Sequence, residues 1–218
     1  MMIELQKRIE ICNIGKKVHQ QGFVAANDGN ISCRLSKDAF LITPTNVSKG
    51  ELDPDDLMKI SGDRIEGKKK PSSEYRMHLE IYKHRSDINS IIHVHSPYAT
   101  AFAMIGKGME ELIMPEVVVT LGKIPLVPYK TPSTQEFAEI VAEFASKWDA
   151  LLLERHGVVT LGSDLRDAYY KLERTEHVFK VLSIAQAVGD IKSLTSEEVS
   201  DLLNAYSVPD RVRNQLTP

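Results

Sequence analysis

The chain has 218 residues, 42% of them hydrophobic and 26% charged, with a formal net charge of −3. That length supports one sizeable domain, the mildly acidic balance gives no electrostatic basis for a nucleic-acid partner, and no apolar run is long enough to expect a membrane span. Two cysteines, Cys12 and Cys33, are too few for a disulfide framework; both read as buried thiols. The start of the chain lacks a signal-peptide pattern, so a reducing cytoplasm is the expected location.

The first segment is expected as a helix ending near Gly22, with Leu5, Ile9, Cys12 and Lys16 along one side and Val18 close by. The turn Asn27-Asp28-Gly29-Asn30 leads into alternating residues 31–35, which pair with 39–43 as a hairpin. Asp53-Pro54-Asp55-Asp56 starts a short helix, and 58–61 with 64–66 flank Gly62-Asp63 as a second hairpin. Ser72 or Ser73 caps a helix running to about Arg85.

Residues 90–97 form a strand, and 97–105 a helix. Strands are expected at 116–120 and 124–127. Ser133 with Glu136 makes a capping box for a helix whose buried stripe is Phe137, Ile140, Val141, Phe144 and Trp148. Strands at 150–154 and 158–161 follow, broken at Arg155-His156-Gly157. Asp164 caps a long helix to about Val188, and Thr195 with Glu198 a terminal one near 196–205. Helices and hairpins mixed in this order predict an α/β fold with a central, mainly antiparallel sheet covered by helices on both faces. No linker interrupts it, so residues 1–218 are taken as a single domain.

Chemistry concentrates in the strand Ser90-Ile91-Ile92-His93-Val94-His95-Ser96-Pro97. The two-residue side-chain period of a strand projects His93 and His95 from one face, which makes half of a metal site or a pair of ordinary strand histidines. Of the other five histidines, His19, His78, His84 and His177 fall among polar residues of expected helices and are read as solvated or satisfied surface groups. His156 sits where a buried strand breaks, before Gly157, which permits a sharp turn or the close approach of a ligand. Catalytic zinc sites typically use three protein ligands, and His156 is placed to complete such a set. Glu74, after Pro71-Ser72-Ser73 at a helix start, either accompanies an anion site or serves as an ordinary first-turn acid.

Asp28-Gly29-Asn30-Ile31-Ser32, Leu41-Ile42-Thr43-Pro44-Thr45, Pro71-Ser72-Ser73-Glu74, His93-Val94-His95-Ser96 and Arg155-His156-Gly157 together resemble the class II aldolase/adducin family, in its order and spacing, over roughly residues 5–190. The branch most resembled is that of L-fuculose-phosphate aldolase. The resemblance implies a metal site of His93, His95 and His156 holding one Zn2+ per chain, with Glu74 beside the metal moving protons. It implies a substrate-phosphate site at Gly29, Asn30, Thr45, Ser72 and Ser73, a small phosphorylated sugar as partner, and a four-fold homotetramer with sites near subunit interfaces. The implied reaction is cleavage of a ketose 1-phosphate to dihydroxyacetone phosphate and an aldehyde through an enediolate.

Two departures stand out. Asn46 occupies a position where the aldolase branch has glycine, and residues 115–121 lack the tyrosine that this branch contributes to a neighbouring site. Tyr206 is the stand-in considered for that catalytic role. Rival readings are an L-ribulose-5-phosphate 4-epimerase, a methylthioribulose-1-phosphate dehydratase and a non-catalytic adducin-like interaction domain. Glu74 and the retained histidines favour the aldolase.

Overall fold

The structure, a computed structural model, describes residues 2–216. Helix α1 (Met2–Gln20) precedes the hairpin β1 (Asn30–Ser36) and β2 (Ala39–Ile42), then the hairpin β3 (Met58–Ser61) and β4 (Arg64–Glu66). Next come α2 (Tyr75–His84), β5 (Ser90–Val94), α3 (Pro97–Met104), the one-turn α4 (Pro115–Val118), β6 (Leu126–Val127) and α5 (Gln135–Ala145). The strands β7 (Ala150–Leu153) and β8 (Gly157–Gly162) lead to α6 (Leu165–Val188), α7 (Ser196–Ala205) and α8 (Asp210–Leu216).

Eight strands form one sheet in the order β4-β3-β2-β1-β5-β8-β7-β6. Every neighbouring pair is antiparallel except β6 with β7. This is the expected architecture, and strand alternation explains its two layers. Ile92, Val94 and Val158 pack on the side carrying residues of α1, α3 and α6, such as Val18, Phe102 and Phe179. Ile91, Val159 and Leu161 pack on the opposite side, against Met77 and Ile81 of α2 and Phe137 and Val141 of α5. His93 shares the parity of Ile91 and so belongs to the α2/α5 side.

Several expectations are corrected. Residues 116–120 are not a strand. Met114 stays extended as the N-cap, Pro115 takes the first helical position, and Val117 and Val118 are buried; proline's fixed φ starts a helical turn that the valine run alone does not announce. The strand expected over 124–127 shrinks to Leu126–Val127, while Ile124 bridges to Met109. Ser133 has φ +69 and does not cap α5; Thr134 does, its side chain accepting from the Phe137 amide. The buried face of α1 is Ile11, Cys12, Ile14, Gly15 and Val18, so Cys12 and Val18 face the core as expected, whereas Leu5 and Ile9 are exposed. Neither Ser72 nor Ser73 caps α2, whose N-cap is Glu74.

Other signals hold. Asp53 forms a capping box on a single 3-10 turn, Thr195 and Glu198 form another on α7, and Asp164 caps α6. Among the described residues no helix is long and apolar enough to cross a membrane. Both cysteines are buried free thiols.

Candidate metal centre and its surroundings

Antiparallel pairing of β5 with β8 brings the exit of one strand beside the entry of the other, with Val94 opposite Val158. His93 therefore meets His156, which immediately precedes β8, although more than 60 residues separate them in sequence. His95 lies one residue past the end of β5. The three imidazoles offer ligand atoms all within 4.8 Å of one another, with ring centroids 4.7 to 5.1 Å apart.

The sharp turn before β8 is taken by Arg155, at φ +58. Gly157 serves a different purpose, because a Cβ there would lie 2.4 Å from the Val94 carbonyl and 2.8 Å from the His95 ring. Any side chain at 157 would collide with the Val94 carbonyl and crowd the His95 ring.

Hydrogen bonds define which nitrogen of each ring faces inward. His93 Nδ1 donates to the Val158 carbonyl at 2.9 Å, and His95 Nδ1 lies 3.4 Å from Asp28 Oδ2. With the protons on Nδ1, both rings present bare Nε2 atoms, and these are 3.3 Å apart. So close an approach is met either by a shared proton or by a cation held between the two nitrogens. Zinc at about 2.0–2.1 Å from each of two tetrahedral nitrogen ligands separates them by about 3.3 Å.

Burial, then the proximity of His95, holds the His93 pKa well below its ordinary value. Burial, then His93, lowers that of His156 to about 3. Both are thus neutral, the form that ligates metal.

Glu74 completes the centre. Its carboxylate is buried, with Oε2 3.2 Å from His93 Nε2 and Oε1 3.5 Å from His156 Nε2. Glu74 Oε1 and His156 Nδ1 have no hydrogen-bond partner, which is unusual for buried polar atoms. A carboxylate oxygen left over among clustered imidazoles is the donor set a divalent cation satisfies. The residues fit a metal of the zinc type.

Two loops flank the centre. Gly29, at φ +75, passes so close to β5 that a Cβ would sit 2.7 Å from the His93 carbonyl. Asn46 adopts φ +61, a conformation asparagine tolerates better than most residues, so it takes the place of glycine in the second loop. Lys49, fully buried, joins the loops by donating to the carbonyls of Asn27 and Val47, each at 2.8 Å. Burial lowers its pKa to about 8, against the opposing pull of Asp28.

Of the remaining phosphate candidates, Thr45 is half-buried and Ser73 exposed, while buried Ser72 accepts from the Glu74 amide at 3.3 Å. Asn30 is placed differently. Its side chain is buried, with Nδ2 donating to Glu74 Oε2 at 2.9 Å and Oδ1 facing His78 Nε2. His19, His84 and His177 are exposed as expected, but His78 is completely buried. The signal that could have found it is spacing: Glu74, His78 and Tyr82 share one helix face at i, i+4 and i+8, opposite the alternate strand residues Asn30 and Ser32. Tyr206 is exposed at the C-cap of α7.

Glu176, also unnoticed in the sequence, accepts from the amides of Tyr98 and Ala99 at 2.9 Å each. This buried carboxylate at the start of α3 fixes the chain just after His95.

The family profile described as Class II Aldolase and Adducin N-terminal domain matches residues 9–183. The chain belongs to the class II aldolase and adducin family. It is an enzyme of class II aldolase type, a family of metal-dependent lyases. A Pectobacterium atrosepticum protein named 3-oxo-tetronate 4-phosphate decarboxylase is 36% identical over 207 residues, covering 91% of this chain and 93% of its own. L-fuculose phosphate aldolase of Methanococcus vannielii is 39% identical over 188 residues, covering 85% and 98%. The crystal structure of YgbL from Escherichia coli, described as an aldolase/epimerase/decarboxylase, superposes with a TM-score of 0.84 at 32% identity, covering 92% of this chain and 99% of that one.

Proposed function

We propose that the protein is a zinc-dependent lyase that breaks a carbon–carbon bond beside the carbonyl of a phosphorylated sugar and releases dihydroxyacetone phosphate, with a ketose 1-phosphate of the L-fuculose type as substrate. The observation that carries this reading is the buried Glu74 carboxylate, 3.2 and 3.5 Å from two of the three clustered imidazoles. A zinc ion held by His93, His95 and His156 supplies Lewis-acid stabilisation of the negative charge that develops on a substrate carbonyl oxygen.

Glu74 moves the protons. Glu74 takes the C4 hydroxyl proton as the C3–C4 bond breaks, the bonding pair passes into the enediolate, and an aldehyde departs. Glu74 then delivers a proton to C3, as a general acid–base group must at close range. Gly29, Thr45, Ser72 and Ser73 would hold the phosphate and fix the orientation of the three-carbon unit. In the reverse, carbon–carbon-forming direction, Tyr206 is the donor assigned to the aldehyde oxygen in this reading. A homotetramer is proposed with it, supported by exposed apolar side chains on α1 (Ile3, Leu5) and α6 (Ile184, Val188).

A second reading is decarboxylation of a 3-oxo-tetronate 4-phosphate, favoured by the Pectobacterium relative that matches nearly end to end. In that β-keto acid the carboxylate sits one carbon from the ketone. Loss of carbon dioxide leaves the same enediolate, which Glu74 protonates at the carbon that lost the carboxylate. The departing group needs no hydroxyl donor, which suits a 115–121 segment without tyrosine.

The test supplies zinc-loaded protein with L-fuculose 1-phosphate, L-ribulose 1-phosphate and 3-oxo-tetronate 4-phosphate in turn. Dihydroxyacetone phosphate with an aldehyde establishes the aldolase, and dihydroxyacetone phosphate with carbon dioxide the decarboxylase. Absence of dihydroxyacetone phosphate from all three contradicts both.

A further inference from the structure

Behind Glu74 runs a line of buried polar groups that the proposed chemistry does not itself use. Asn30 and Ser32 lie on the helix-facing side of β1, and Glu74, His78 and Tyr82 lie four residues apart at the N-cap and along α2. The contacts alternate between the two elements: Glu74 Oε2 with Asn30 Nδ2 at 2.9 Å, Asn30 Oδ1 with His78 Nε2, His78 Nδ1 with Ser32 Oγ at 2.7 Å, and Ser32 Oγ with Tyr82 Oη at 2.8 Å. Asn30, Ser32, His78 and Tyr82 are each no more than 5% exposed.

The chemistry of the donors assigns every proton along this line. A carboxylate only accepts, so Asn30 turns its amide nitrogen to Glu74 and its oxygen to His78. His78 must then donate from Nε2, which leaves Nδ1 as an acceptor. Ser32 donates its single proton to that Nδ1 and accepts from Tyr82 at 2.8 Å, the other acceptor near the Tyr82 hydroxyl, the Asn89 carbonyl, being farther off at 3.5 Å. Each hydrogen bond therefore points the same way, with its positive end toward Glu74. Burial lowers the His78 pKa to about 3, so the ring stays neutral and the direction holds across the working pH range.

We infer that Asn30 and His78 are positioning residues that aim and steady the Glu74 carboxylate through this one-way chain of hydrogen bonds, anchored at its far end by Ser32 and Tyr82. Bonds aligned in a buried chain polarise one another and strengthen the last, charge-assisted member. One carboxylate oxygen is thereby tied to the protein, while Oε1 is left for the metal centre and substrate. The inference deepens the proposed function and rests on it for the role of Glu74, but not for the geometry of the chain.

Two measurements test it. In metal-free protein labelled with 15N-histidine, NMR is expected to find His78 protonated on Nε2 and bare on Nδ1; the opposite tautomer, or a charged ring at neutral pH, overturns the assignment. This holds whatever reaction the enzyme catalyses. The second measurement is the rate at which zinc-loaded protein exchanges the C3 hydrogen of dihydroxyacetone phosphate with deuterium oxide, a step common to both proposed reactions. His78→Phe and Ser32→Ala are expected to lower its kcat, His78→Phe by about 10- to 100-fold as for other outer-shell partners, with KM and bound zinc unchanged. His78→Gln, which keeps a donor toward Asn30, is expected to recover most of that loss. Wild-type exchange in all three variants overturns the positioning role, whereas a wild-type enzyme that exchanges nothing overturns the proposed function and leaves the NMR result to decide the chain.

Discussion

Strands β5, β7 and β8 carry a polar cluster at each end, and the two clusters obey opposite rules. Where β5 and β7 begin and β8 finishes, Arg85 donates to Asp87 and Asp149 at 2.8 Å each and to the Ala145 carbonyl at 2.6 Å. Lys171 reaches Asp149, Asp167 and the Leu161 carbonyl, each at 3.0 Å. Charge there is answered by charge within the fold. At the opposite end, three imidazoles converge on a carboxylate, and Glu74 Oε1 and His156 Nδ1 are left without partners. A cluster that completes itself holds the sheet together. One that leaves ligand atoms unanswered is built to receive something else, and its upkeep falls on neighbours such as Asn30, Asp28 and Glu176.

Substitutions at the two ends should therefore separate activity from stability. The largest effect is expected from His156→Ala, which removes one of three nitrogen ligands: zinc is lost on dialysis and lyase activity falls to the rate without protein, as metal analysis and product assays would show. Retention of one tightly bound zinc would break the contrast. At the other end, Arg85→Ala removes the buried guanidinium that joins Asp87, Asp149 and the Ala145 carbonyl and should cost about 2 kcal/mol in urea unfolding, with Lys171 still paired to Asp149 and turnover per folded molecule unchanged. Asp28→Ala sharpens the comparison by removing only the acceptor behind His95. Outer-shell losses typically cost 10- to 100-fold in metal affinity, and because Asp28 is half-exposed a loss of about 10-fold is expected in competition with a chelator.

A further effect is a graded one with pH. His78 and His156 have native pKa values lowered to about 3 from the ordinary 6.5, chiefly by burial. Below pH 6.5 the unfolded chain binds protons that the native chain refuses, so stability falls as pH drops from about 6.5 toward 3, by at most about 1.4 kcal/mol per unit for each histidine. The hydrogen bond from Arg85 lowers Asp87 to about 2 from 3.8; its contribution is complete above about pH 4 and is lost only below it. Urea melts of metal-free protein should thus weaken between pH 6.5 and 4 in wild type, and less steeply in His156→Ala. A flat response over that range would show that the site-end histidines are not held neutral.

Much of this was legible in the amino-acid order because local rules and tertiary demands agree there. The alternation of 31–35 and 39–43, the caps at Asp53, Asp164 and Thr195, and the period-two placement of His93 and His95 all depend on neighbours in sequence. His156 emerged from a break in an apolar run, although the sharp turn belongs to Arg155 and the glycine makes room for His95. Failures occurred where a distant partner decides. Val117 to Val119 have strand-like side chains, yet Pro115 and burial against the core make a helical turn. His78 looks like a surface residue between Met77 and Leu79 until β1 places Asn30 and Ser32 above it. Asn30 itself, grouped with the phosphate loop by its position, is turned by the strand's pleat toward Glu74. Helix α8 had no periodic signal and is held by a small cluster with α7 through Val199, Leu203 and Val212.

The central claim is that Glu74 moves a proton at a metal centre made by His93, His95 and His156, and one experiment addresses it directly. Zinc-loaded wild type and Glu74→Gln are incubated with dihydroxyacetone phosphate in deuterium oxide, and incorporation at C3 is followed by proton NMR beside a zinc determination on the same samples. The expected result is one zinc per chain and stereospecific exchange in wild type, with the variant retaining zinc but exchanging about 10²- to 10⁴-fold more slowly, the range of general acid–base catalysis. Exchange by Glu74→Gln at the wild-type rate, with zinc bound in both, would contradict the account.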